Sequence, residues 1–345
     1  MRIAVYTNCV PFLRGGAEYL ADALTAKLRD YGHPAVLIRI PFRWEPPEKI
    51  LESMLACRLM RAPNVDRVIA LKFPAYLVPH DDKVLWLLHQ FRQAYDLWGT
   101  PYQSIPDTLA GRRIREVITS GDTAHLSKVR KIYTNSQVTS GRLKQFNGLE
   151  SEVLYPPLLE SSHLSEGPVE DFIFYPSRIS GAKRQVLAVE SMKYVRSPVR
   201  LVIAGPPDSP AEREAVESAI LQHGLEERVE LLARFISEEE KAERFRRCLG
   251  CLYIPYDEDS YGYVTLESYW CRKPVITCDD SGGTGILVKD GQSGWVAEPK
   301  PESIGAAIDR LDADRGAARR MGEAGFELMR QLRIDWDHVI RSLTQ

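Results

Sequence analysis

Arg178 and Lys183 stand five positions apart, just past the apolar stretch Phe172-Ile173-Phe174-Tyr175 and ahead of a helical pattern. Two cations so placed can neutralise a diphosphate, arginine through paired hydrogen bonds and lysine as a point charge. Ordinary charges on a solvated loop are the plain alternative. A richer constellation lies downstream in Tyr256-Asp257-Glu258-Asp259-Ser260-Tyr261-Gly262-Tyr263-Val264-Thr265-Leu266-Glu267. There an acidic cluster follows a buried strand, and then come a glycine and a helix with Glu267 near its first turn. Carboxylates accept hydrogen bonds from sugar hydroxyls, so acids flanking a helix N-terminus can hold a ribose and a hexose together. Asp257, Glu258 and Asp259 also admit a divalent-cation reading, or plain solvation. Near the N-terminus, Arg14-Gly15-Gly16-Ala17-Glu18 sets a glycine pair where a strand turns into a helix, and N–H groups pointing out of such a turn attract anions. Glycines there also simply permit a tight turn. The pair lacks the G-x-G-x-x-G of a dinucleotide fold and the G-x-x-x-x-G-K of a P-loop, so neither a nicotinamide cofactor nor ATP is indicated.

The elements that must position these residues are legible as short apolar runs alternating with helical spacing, the signature of βαβ units around a parallel sheet. In the first half, strands are expected at 3–7, 35–40, 68–72, 84–89, 132–135 and 153–156. Leu20, Leu24, Leu28 and Tyr31 repeat at helical spacing between the first two, and Gly32 supplies a left-handed cap. In the second half, strands are expected at 172–175, 201–204, 229–232, 252–255, 275–277 and 295–297. The proline-, serine- and glycine-containing stretch 158–171 breaks the pattern and reads as a linker. The expected architecture is therefore α/β, with two Rossmann-like doubly wound domains facing a central cleft. The first spans 1–160, the second spans 170–325, and a C-terminal helix at 326–345 packs back on the first. Ligands of such sheets bind outside the carboxyl ends of the strands, where both constellations fall.

Composition narrows the function classes. With 345 residues, 44% hydrophobic and 27% charged, the chain can bury two ordinary cores. A net charge of −2 argues against nucleic acid as the main partner. The N-terminus opens directly as a strand, without the apolar segment and cleavage site of a secretory signal, so the expected location is cytoplasmic. The six cysteines are scattered; Cys248 and Cys251 alone have a two-residue spacing, and they begin an apolar strand, which favours buried thiols over a zinc or redox pair.

Taken together, these segments resemble the retaining glycosyltransferases of family 4, which have the GT-B fold, and the resemblance runs over nearly the whole chain. The glycine loop of that family resembles Gly15-Gly16-Ala17-Glu18, and its strand entry resembles Gly32-His33. The arginine–lysine pair that grips the departing diphosphate matches Arg178 and Lys183. The hallmark of the family is two acids separated by seven residues, with glycine three after the first; Glu267 matches the second acid and Gly262 the glycine. The first position is Asp259 rather than Glu, with Glu258 one step earlier, so either contacts the donor sugar. Ser281-Gly282-Gly283-Thr284 resembles the loop near the sugar and diphosphate, although the glutamate often found three after its glycines is Ile286 here. Trp86-Leu87-Leu88-His89-Gln90 resembles a strand that presents a histidine to the donor sugar.

The resemblance implies retaining transfer of a hexose-type sugar from a nucleoside-diphosphate sugar to a hydroxyl of a glycan or lipid-linked acceptor, in surface polysaccharide assembly. It assigns the leaving diphosphate to Arg178 and Lys183, aided by the N–H groups of Gly15-Gly16 and Gly282-Gly283. The ribose goes to Glu267, the transferred sugar goes to Asp259 and His89, and Gly262 and Tyr263 complete the donor site. No metal and no cofactor is expected. A noncatalytic nucleotide-sugar-binding protein and a nucleotide-sugar epimerase on the same fold are the rival readings. Arg112, Arg113, Arg115, Lys128, Arg130 and Lys131, with the aromatic-cationic loop Phe42-Arg43-Trp44, suggest a first-domain face that meets an anionic membrane surface, making the enzyme peripheral on the inner face of the membrane. A solvated helix face is the ordinary alternative.

Overall fold

Apolar runs without polar alternation make strands buried on both faces, as a parallel sheet between helices requires. The computed structural model describes residues 1–12, 15–100 and 102–345, and Arg14 of the glycine loop lies outside them. The chain divides into two compact units, residues 1–159 with 334–345, and residues 160–333. In the first unit the strands are β1 (Ile3–Cys9), β2 (Ala35–Pro41), β3 (Arg67–Lys72), β4 (Lys83–His89), β5 (Lys131–Thr134) and β6 (Glu152–Val153). They form one parallel sheet in the order β2-β1-β3-β4-β5-β6. Its helices are α1 (Gly16–Asp30), α2 (Glu48–Leu59), α3 (Leu109–Leu126) and α4 (Gln137–Asn147), together with the C-terminal helix Trp336–Thr344.

Side chains alternate across a strand, and each strand therefore feeds two cores. Ala4 and Tyr6 of β1 join Ile50, Met54, Ile114, Ile118 and Leu143 from α2, α3 and α4. Ile3 and Val5 join Leu20, Leu24 and Leu28 of α1 and Val339, Ile340 and Leu343 of the C-terminal helix. That helix is also tied by main-chain oxygens, with Arg67 Nη1 donating to Leu343 O (3.0 Å) and Gln345 O (2.8 Å), and Tyr133 Oη to Ser342 O (3.0 Å). β6 ends at Val153, short of the expected 153–156, and Pro156 and Pro157, past Leu154 and Tyr155, have no N–H to extend a ladder.

The second unit repeats the plan with β7 (Phe172–Pro176), β8 (Arg200–Ala204), β9 (Val229–Leu232), β10 (Gly250–Leu252), β11 (Val275–Cys278) and β12 (Gly294–Ala297), all parallel, in the order β12-β11-β10-β7-β8-β9. Helix α5 (Gln185–Ser191) packs with α6 (Pro210–Gln222) and with α9 (Pro301–Ala313), and α8 (Tyr263–Trp270) packs with α7 (Glu238–Arg247) and with α10 (Arg315–Gln331). The strand order reverses between β7 and β10, so their carboxyl ends open a crevice at a topological switch point. Cys248 and Cys251 are buried free thiols at β10, and burial pushes the Cys248 thiol up to about 12.

Candidate functional site

Both constellations of the second unit emerge at that crevice. Residues 177–183 follow β7, residues 253–262 follow β10, and the Ser281-Gly282-Gly283 loop follows β11. The last two are stitched together by main-chain bonds: Asp257 N–H donates to Asp280 O (3.0 Å), Glu258 N–H to Ser281 O (3.3 Å) and Gly283 N–H to Glu258 O (2.7 Å). This close approach requires glycine at 282, where φ is +63° and an added Cβ would lie 2.5 Å from Glu258 O. Gly262 caps α8 with φ +71°, and a Cβ there would lie 2.4 Å from the Tyr253 ring. Tyr263 is the first residue of α8.

Each cation of the β7 loop is matched by a carboxylate from another part of the unit. Arg178 Nη1 lies 2.5 Å from Asp208 Oδ1 on an exposed loop. Lys183 is mostly buried and donates to both oxygens of Glu258 (2.7 and 2.6 Å) and to the Tyr253 hydroxyl (3.0 Å). Arg184, with φ +57°, pairs with Asp280 at 2.7 and 2.5 Å and covers the Tyr256 ring, 5.0 Å from its centroid. Glu267 is buried and its Oε1 lies 2.7 Å from Lys241 Nζ of α7, which also meets Glu238 (2.8 Å). Burial by itself would lower the Lys241 ammonium; the Glu267 and Glu238 carboxylates outweigh it and hold the group above its ordinary value.

The structure thus brings Arg178, Lys183, Glu258, Asp259, Gly262, Tyr263, Gly282 and Gly283 to one crevice, with Glu267 on the helix that follows. It also changes two expected roles. The Gly283 N–H, expected to face the diphosphate, is taken by Glu258 O, because the loop closes on the acidic strand end. In the first unit the Gly15 N–H, also expected to meet an anion, is taken by Glu18 Oε2 (2.9 Å), whose other oxygen pairs with Lys72 (3.1 Å). Gly16 is the first residue of α1. His89 ends β4 and donates from Nδ1 to Gln90 O (2.7 Å), which fixes its tautomer.

Tyr253, Lys241, Arg184, Asp280 and Asp208 were missed by sequence reasoning. Tyr253 alone carried a signal, a tyrosine inside the apolar run Cys251-Leu252-Tyr253-Ile254. Among the described residues, no three His, Cys, Asp or Glu side chains gather as a metal site. In the loop Phe42-Arg43-Trp44, Arg43 is exposed and Trp44 partly so, whereas Phe42 is buried and packs its ring on Trp44, Phe73 and Phe91. Arg112 pairs with Asp107, Arg130 with Asp82 and Lys131 with Glu152, while Arg115 turns inward to Ala94 O (2.9 Å) and covers Trp98. Arg113 and Lys128 are exposed. No helix among the described residues is long and apolar enough to cross a membrane.

Residues 163–328 match the family described as Glycosyl transferases group 1. The human alpha-1,3/1,6-mannosyltransferase ALG2 is 26% identical over 221 residues, covering 56% of this chain and 52% of its own. The O-antigen chain mannosyltransferase C of Escherichia coli is 24% identical over 195 residues, covering 56% and 50%. The chain spans about half the length of these two curated relatives. Among solved structures, sucrose-phosphate synthase from Thermosynechococcus elongatus superposes with a TM-score of 0.78 at 17% identity, covering 99% of this chain and 97% of that one. Anabaena HepE in complex with UDP-glucose gives 0.73 at 16%, covering 99% and 98%. The chain therefore has the GT-B fold of glycosyltransferases, and its second unit matches the Glycosyl transferases group 1 family over nearly its whole length.

Proposed function

We propose that this protein is a retaining glycosyltransferase that moves a hexose-type sugar from a nucleoside-diphosphate sugar to a hydroxyl of a glycan or lipid-linked acceptor, in surface polysaccharide assembly. The observation that carries the proposal is the pair Arg178 and Lys183 at the carboxyl end of β7, at the switch point, against the acidic strand end after β10. The names of the mannosyltransferase relatives and the UDP-glucose held by HepE support the same reading.

Breaking the anomeric bond develops positive charge on the sugar ring and negative charge on the diphosphate, so stabilising the leaving group is the main task. Arg178 and Lys183 do this without a metal or cofactor in the mechanism we propose. Glu267 receives the ribose hydroxyls, since a carboxylate has about four lone-pair sites and the Lys241 pair leaves room for a hydroxyl. Asp259 is assigned to the transferred sugar, and Glu258, engaged by Lys183, is the other candidate. His89 is assigned to the donor by family resemblance. Membrane contact rests on few unengaged charges: Arg113 and Lys128 at about 1 kcal/mol each give an attachment that salt reverses.

Release of nucleoside diphosphate from UDP-, GDP- and ADP-sugars, with and without acceptor, tests the proposal. Arg178→Ala or Lys183→Ala is expected to lower turnover by roughly a hundredfold or more with little change in melting temperature, as loss of a leaving-group contact would. Near-normal turnover in both variants sinks the assignment.

A further inference from the structure

Tyr253 is the first residue of the segment 253–262 after β10, and the mechanism proposed above gives it no role. Its hydroxyl accepts from the Lys183 ammonium at 3.0 Å, and its ring lies 5.2 Å from the same Nζ. The residue is 4% exposed, and burial, then the Glu258 carboxylate, hold the phenol well above its usual range, so it stays neutral. The ring has no room to move. It stands edge-on to Tyr175 at 6.4 Å, and the open side of Gly262 is filled by it. Tyr175 in turn donates its hydroxyl to the main-chain oxygen of Lys183. Two tyrosines therefore hold both the backbone and the head of one lysine.

We propose that Tyr253 is a positioning residue that acts through Lys183, holding the ammonium where the terminal phosphate of a nucleoside diphosphate meets it. The inference rests on the reading of Lys183 as a diphosphate clamp. Lysine is a compact charge on a flexible stem, so its head needs an external anchor. Glu258 is a poor anchor for this purpose, because its charge competes with phosphate for the same ammonium. A neutral phenol oxygen does not compete, and it keeps the lysine in place while the carboxylate is exchanged for the ligand.

Nucleotide binding separates the possibilities. The full chain is titrated calorimetrically with UDP and UMP, GDP and GMP, and ADP and AMP, and the tightest-binding pair is then used for variants. Tyr253→Phe keeps the ring and removes one oxygen. Diphosphate affinity should fall roughly three- to tenfold, with monophosphate affinity and melting temperature unchanged. In a Lys183→Met background the same substitution should have no further effect, since residues acting in series are not additive. The proposal is overturned if Tyr253→Phe leaves the diphosphate preference intact, weakens both nucleotides equally, or still acts when Lys183 is Met. If Lys183→Met by itself spares the diphosphate preference, the clamp reading fails and this inference with it. Absence of binding by all of these nucleotides overturns the donor reading itself.

Discussion

Lys183 meets three oxygens, two of them from Glu258. Arg178 and Arg184 are likewise matched by Asp208 and Asp280, so each of these three cations already faces a carboxylate. An arriving diphosphate must take cations away from carboxylates, and a carboxylate on a mostly buried lysine is the strongest competitor. Glu258→Gln removes the charge and keeps the shape. It should bind nucleoside diphosphate roughly threefold to tenfold more tightly by calorimetry. Weaker binding would instead show that Glu258 supports the diphosphate site rather than competing for its lysine. Arg178 and Lys183 were visible from their spacing after an apolar strand. Their partners were not, because Asp208 is 30 residues from Arg178 and Glu258 is 75 from Lys183. Lys241 gave no signal at all, standing among Glu238, Glu239 and Glu240 on a helix that reads as a solvated face.

The elements of the first unit enclose a polar group that the proposed chemistry does not use. Asp122 of α3 is fully buried and accepts from Tyr76 and Tyr95 hydroxyls at 2.8 Å each, while its Oδ1 has no partner among the described residues. Burial, only partly offset by the two hydroxyls, pushes the carboxyl up to about 7 from an ordinary 3.8. The folded state thus holds this proton more tightly than the unfolded chain. The stability it contributes is complete below pH 3.8 and is lost as pH rises through about 7. Asp122→Asn cannot ionise, so relative to the parent it should melt about 4 °C or more higher at pH 8 than the same comparison gives at pH 5. A difference that does not change with pH would show that Asp122 is ionised throughout. Helical spacing places this position on the buried stripe of Ile114, Ile118 and Leu126, but the residue type hides it, since an aspartate is read as solvent-facing until its tyrosine partners are seen.

At the scale of the whole molecule, the chain builds one parallel sheet, passes into a second unit, and returns with residues 334–345 to complete the first. Both sheets carry their loops at the carboxyl ends of the strands, which is where a charged ligand meets N–H groups and cations rather than a packed core. The charge for leaving-group stabilisation in the proposed reaction comes from Arg178 and Lys183. Turnover in excess EDTA is therefore expected to stay within about twofold of the untreated protein. Loss of activity that magnesium or manganese restores would make Asp257, Glu258 and Asp259 a metal site and replace the cation pair as the main stabiliser.

The sequence by itself determined the two series of strands and helices, because a strand buried on both faces must be a continuous apolar run and its helices must repeat at helical spacing. It also determined that Arg178, Lys183 and the acids of 257–267 fall just beyond strand ends. Tertiary structure alone decided which groups are engaged. It spent the Gly15 and Gly283 N–H groups on Glu18 and Glu258, drew Phe42 into the core, and set Tyr253 and Lys241 beside Lys183 and Glu267. The physical reason is that local pattern reports the period and burial of an element, whereas a hydrogen bond or ion pair depends on atoms a few ångströms apart that belong to segments tens of residues distant.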